Sequence, residues 1–114
     1  MHNIRIEFIQ HKFQRYDTAG DWFYDHNGDL VIRVSIDHPE FAKKEEHYLV
    51  ALHELIEALS CDKNGINQDQ VDEFDMGVGQ HLEEPGEHKD APYRKEHMFA
   101  MLVENLIAHE WGVD

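Results

Sequence analysis

The chain has a single cysteine, Cys61, and only three prolines among its 114 residues. One thiol excludes an internal disulfide framework and the small secreted scaffolds that depend on one. Basic residues are scarce: ten Lys and Arg stand against twenty-four Asp and Glu, a formal charge of −14 with His neutral. Such a chain repels a nucleic-acid backbone and favours cations, either metal ions or a basic protein surface. Long hydrophobic runs are missing too. Neither Ile4-Arg5-Ile6-Glu7-Phe8-Ile9 nor any later stretch has the length or purity of a signal peptide or a membrane span. The expectation is therefore a cytoplasmic protein with neither nucleic acid nor membrane as partner.

What the chain does have is histidine, ten residues of it, and enough Leu, Ile, Val and Phe to fold: 29 of 114, above the rough ~20% level below which charged chains stay disordered. Its length suits one domain, 1–114, with one modest core. Apolar and polar residues roughly alternate from Ile4 to Ile9, which predicts a half-buried strand. Asp21 to Asp25, the turn signal Asn27-Gly28 and the β-branched Leu30 to Ile36 predict a hairpin. A small antiparallel sheet of three to four strands should fill the first third.

Three helices should follow, making the fold class α+β. Asp37-His38-Pro39-Glu40 has the composition of a helix entry, with Asn64-Gly65 as the stop after about Cys61. Asn67 is a natural cap for a second helix from about Gln68 to Gln80, although Gly77 and Gly79 weaken its end. Glu83 to Pro92 reads as an irregular loop. The last helix, from about Tyr93 to Glu110, is supported by Met98, Phe99, Leu102, Val103, Leu106 and Ile107, with Gly112 ending it.

Chemistry concentrates in His53-Glu54-Leu55-Ile56-Glu57. Residues four apart are neighbours on a helix, so His53 and Glu57 can reach one divalent ion together. Glu54, turned roughly 100° from His53, is not expected as a co-ligand but is placed to face a metal-bound water. The phase of the helix puts Tyr48, Leu49, Leu52, Leu55, Ile56 and Leu59 on an apolar stripe, with His53 and Glu57 at its margin beside Val50. On the second helix Val71, Phe74 and Val78 define the inward face, and Asp75 lies nearer to it than Asp72. On the third, His97, Ala100, Met101, Glu104 and Ala108 share a stripe whose small residues allow another helix to approach. Metal ligands are thus expected at His53, Glu57, Asp75 and His97, with Asp72, Asp75 and Glu104 as competing candidates to complete the set. Solvated carboxylates and a buried His97–Glu104 pair are the plainer explanations. A divalent cation would turn the repulsion among unpaired carboxylates into attraction.

The combination of His53-Glu54-Leu55-Ile56-Glu57-Ala58 and Cys61, Val71-Asp72-Glu73-Phe74-Asp75, Glu84-Pro85-Gly86, Ala91-Pro92-Tyr93 and Glu96-His97 resembles small phage and prophage proteins of a zincin-like kind. The resemblance spans about Leu49 to Glu104. It implies a sheet preceding the H-E-x-x-E helix, His53 and Glu57 as ligands and Glu54 as general base; Glu57 stands where zincins carry a second His.

The leading expectation is a metal-dependent hydrolase, a minimal metallopeptidase acting on a peptide or protein. Zinc suits the two histidines, and manganese, iron or magnesium suit a carboxylate-rich set. Two alternatives come from the same residues. Glu54-x-x-Glu57 with Asp72-x-x-Asp75 resembles the acidic motifs of all-helical MazG-type nucleoside-triphosphate pyrophosphohydrolases, where they would hold magnesium. The third is a non-enzymatic acidic phage protein with a structural metal that engages a basic host protein.

Overall fold

The computed structural model describes residues 2–113. Its first third forms three strands, β1 (Ile4–Ile9), β2 (Gly20–Tyr24) and β3 (Leu30–Ser35), in the order β1-β3-β2. β3 carries the densest run of β-branched and apolar residues and takes the central place, where Leu30, Val31, Ile32 and Val34 are buried. β2 pairs with it antiparallel, as the hairpin signal predicts. β1 pairs with it parallel, Ile4 opposite Leu30 and Ile6 opposite Ile32, so the sheet is mixed where an antiparallel one was expected. Alternation along Ile4–Ile9 reveals which side chains share a face but not which way the neighbouring strand runs. The segment 10–19, including a short 3-10 turn at His11–Phe13, carries the chain past the central position to the far edge.

The hairpin turn is longer than the two residues that Asn-Gly suggests. Asp25 organises it: its Oδ1 accepts the N–H groups of Asn27 (2.9 Å) and Asp29 (3.0 Å), and its carbonyl accepts that of Gly28 (2.9 Å). Only Gly28 there needs the left-handed region, at φ 81°.

Three helices follow: α1 (Lys44–Lys63), α2 (Gln68–Met76) and α3 (Arg94–Trp111). α1 starts later than the Asp37-His38-Pro39 signal predicts. The Asp37 carboxylate is drawn away to the backbone N–H of His11 (2.7 Å), and the helix opens instead where Glu46 accepts the N–H of Lys43 (3.2 Å). The Asn67 cap is as expected: its side chain accepts the Gln70 N–H, and the Gln70 side chain accepts the Asn67 N–H, each at 3.0 Å. α2 stops at Met76, short of Gln80, because Gly77 leaves helical geometry (ψ −112°) before a 3-10 turn at Val78–His81.

α1 lies on β2 and β3, and α3 packs along α1. Between those neighbours the buried arc of α1 includes Leu49, Ala51, Glu57, Ala58 and Cys61. The expected apolar stripe is therefore displaced: Tyr48 and Leu59 are exposed, as are Val78 on the turn after α2 and Met98, Phe99, Leu102 and Leu106 on α3. A helix with one principal neighbour buries one narrow row, and on α3 that row is Glu96, His97 and Ala100. Polar groups thereby enter the interior.

Candidate metal centre

Three side chains from the facing rows of α1 and α3 meet at one point. His53 Nε2 lies 3.3 Å from Glu57 Oε2 and 3.3 Å from His97 Nδ1, and His97 Nδ1 lies 2.9 Å from Glu57 Oε2. The helical repeat sets the first pair and the antiparallel crossing of α3 supplies the third member. Their side chains are 12%, 7% and 8% exposed for His53, Glu57 and His97. Donors tetrahedrally placed ~2.0–2.1 Å from a zinc-sized ion stand about 3.3–3.4 Å apart. Two edges match that spacing and the third, at 2.9 Å, needs a small opening, so these residues could hold a divalent ion.

Each member is held from behind. His53 Nδ1 is bonded to Glu104 Oε1 (2.8 Å), the carboxylate–imidazole pairing that orients metal-ligating histidines. Glu57 Oε1 accepts the indole N–H of Trp22 (3.0 Å) from β2, which leaves Oε2 turned toward the two imidazoles. His97 is pinned by contact: a Cβ on Gly86 would stand 2.3 Å from His97 Cγ, so the loop before α3 lies flat on the ring only because residue 86 is glycine. His97 Nε2 is buried without a hydrogen-bond partner among the described residues. At the ends of the two helices, Asn64 donates to the buried carboxylate of Glu96 (2.6 Å) and sets their register.

The electrostatics follow from this packing. Burial alone would lower the His53 imidazole, but its bonds to Glu104 and Glu57 outweigh burial and hold it at about 10. Burial would raise Glu57, yet the hydrogen bonds from His53 and His97 bring it to about 2. Among the described residues Glu54 has no such partners. Desolvation first and the charge of Glu57 second push its carboxyl well above the usual range, with His53 opposing. Its Oε1 lies over the β2 backbone, where a Cβ on Gly20 would come within 2.7 Å of it. Glu54 is thus a buried carboxyl against β2, coupled to the triangle through the charges of Glu57 and His53.

Of the expected ligands, the structure brings His53, Glu57 and His97 together and leaves Asp75 outside the group. Asp75 is buried, but its oxygens accept the hydroxyls of Tyr16 (3.1 Å to Oδ2) and Tyr93 (to Oδ1). Burial raises its carboxyl to about 6 against the lowering effect of those two bonds. Asp72 is also engaged elsewhere, gripped through both oxygens by Arg15 at 2.9 and 3.0 Å. Hence the Glu54/Glu57 and Asp72/Asp75 pairs do not form one all-oxygen magnesium site, and the chain is α+β rather than all-helical. Glu104 proves to be the partner of His53. Sequence reasoning missed Trp22, whose indole N–H reaches Glu57, and Tyr16 and Tyr93, whose hydroxyls occupy Asp75; three aromatics in a row at 22–24 gave no hint of which one pointed inward.

No family model, curated protein or solved structure matches this chain.

Proposed function

We propose that the chain is a metal-dependent hydrolase, a minimal zincin-like metallopeptidase, with His53 Nε2, Glu57 Oε2 and His97 Nδ1 as ligands to one divalent ion and Glu54 as general base. The observation that carries this reading is the triangle of donors with edges of 3.3, 3.3 and 2.9 Å. Two imidazoles and one carboxylate favour zinc, with manganese or iron as substitutes. An ion held there supplies Lewis acidity that brings the pKa of water toward ~7. The chain's own part is to orient the ligands through Glu104 and Trp22 and to offer Glu54, whose desolvated carboxylate takes up the proton.

Metal content of the chain purified without a histidine tag, followed by hydrolysis of a mixed peptide pool with zinc, tests the proposal. His53→Ala should lose the ion held by the triangle. Glu54→Gln should keep it and lose hydrolysis. Equal metal content in wild type and His53→Ala would remove the site. The depth of the three ligands favours one competing reading, a structural ion in a chain that binds a basic protein. X-ray absorption showing four protein donors and no water, together with intact peptides, would establish that reading instead.

A further inference from the structure

A second group of potential ligands lies away from the triangle, where the segment after β1 meets the segment after β3. His11, Asp17 and His38 each offer a ligand atom, and these atoms lie within 4.8 Å of one another. His11 Nε2 is 2.8 Å from Asp17 Oδ1, and the His38 ring stands edge-on to His11 with centroids 5.0 Å apart. From these contacts we infer a second divalent-metal site, of the zinc, nickel or copper class that imidazole-rich donor sets select.

Ser35 sets the orientation of His11. The serine is buried, and its Oγ donates to the Thr18 carbonyl (3.4 Å) while accepting from Gln14 Nε2 (3.1 Å). The same oxygen is hydrogen-bonded to His11 Nδ1 at 2.8 Å, which fixes the orientation of the ring. His11 Nε2 then faces the Asp17 carboxylate at 2.8 Å, and the bridging role between them falls to a ring proton or to a cation. A divalent ion fills that role and gains His38 as a third donor. His38 is the adjustable member: its bond from the Glu40 N–H to Nδ1 (3.2 Å) lies at the surface and yields when the ring turns a lone pair inward. Ser35 behind His11 is the same orienting device that Glu104 provides behind His53.

The site closes a loop. His11 and Asp17 bracket Arg15 and Tyr16, and those two reach into the body of the molecule: Arg15 to Asp21 and Asp72, Tyr16 to Asp21 and Asp75. An ion at His11, Asp17 and His38 staples that crossover segment to the start of the β3–α1 connection. It acts as a structural clip, independent of the triangle between α1 and α3.

Zinc titration calorimetry on the full, untagged chain, paired with nitrogen-edited NMR of the histidine rings, tests this assignment. Asp17 is 94% exposed, so Asp17→Asn should fold as the parent does. Wild type should bind two equivalents, and Asp17→Asn and His11→Ala should each lose one. Zinc should also shift the ring signals of His11 and His38 in wild type and in His53→Ala. Ring signals that stay unmoved in wild type, or equal stoichiometry in wild type, Asp17→Asn and His11→Ala, would overturn the assignment. Failure of the triangle appears separately, as unchanged stoichiometry in His53→Ala.

Discussion

Gly86 and Glu104 show how much of the centre depends on groups that are not ligands. A methyl at position 86 would sit 2.3 Å from His97 Cγ, so Gly86→Ala must displace the ring or the loop. The expected result is loss of the ion at the triangle with helix content retained, read by zinc titration and circular dichroism; undiminished zinc binding would show that the loop gives way instead. Glu104→Gln keeps an acceptor for His53 Nδ1 but removes its charge. Affinity should fall by about 10–100-fold, the range typical of such supporting partners, and the same affinity as wild type would mean that Glu104 is incidental. At this scale the sequence was readable where chemistry is local. His53 and Glu57 follow from an i, i+4 repeat, and His97 with Glu104 from a stripe of small residues. Asp75 was not readable in that way: helical phase correctly placed it inward, but the two tyrosines that occupy it come from residues 16 and 93.

Elements differ in what they contribute, and α2 shows the contrast. It positions Asp72 against Arg15 and Asp75 against the tyrosines, yet supplies no donor to the triangle. Asn67→Ala removes its N-terminal cap and should cost about 1 kcal/mol in denaturant unfolding while leaving metal stoichiometry unchanged. Metal lost in parallel with the cap would mean that α2 shapes the centre after all. The ends of elements that depend on neighbouring residues were legible: the Asn67 cap, the Asn64-Gly65 stop and Gly112 closing α3 at φ 69°. The start of α1 was not, because Asp37 can cap a helix or bond to His11, and only the fold decides between the two. The direction of β1 was hidden for a similar reason, since a strand's alternation is the same whichever way its partner runs.

For the molecule as a whole, the buried triangle links folding to pH and, on the proposed reading, to metal. In the metal-free chain His53 is held at about 10 against an ordinary 6.5, so its contribution to stability is complete below 6.5 and is lost as pH rises through 10. Glu57, lowered to about 2, contributes above about 4.5 and is lost only as pH falls through 2. The melting temperature of the metal-free chain should therefore fall between pH 7 and 10.5. Zinc at a hundredfold excess over its Kd should add about 2.7 kcal/mol, a rise on the order of 10 °C for a domain of this size, and should remove much of that decline. Scanning calorimetry checks both; a flat pH profile without metal would contradict the pairing of His53 with Glu104 and Glu57. Added cations also suit a chain of formal charge −14, which closes on itself against its own repulsion. By itself the sequence determined the α+β composition, the hairpin, the three helices and the H-E-x-x-E face, because each is set by residues a few positions apart. Only the tertiary structure decided that His97 joins His53 across 44 positions, that Asp75 does not, and that β1 runs parallel to β3. Those outcomes depend on which surfaces pack together, and periodicity along a chain carries no record of its distant partners.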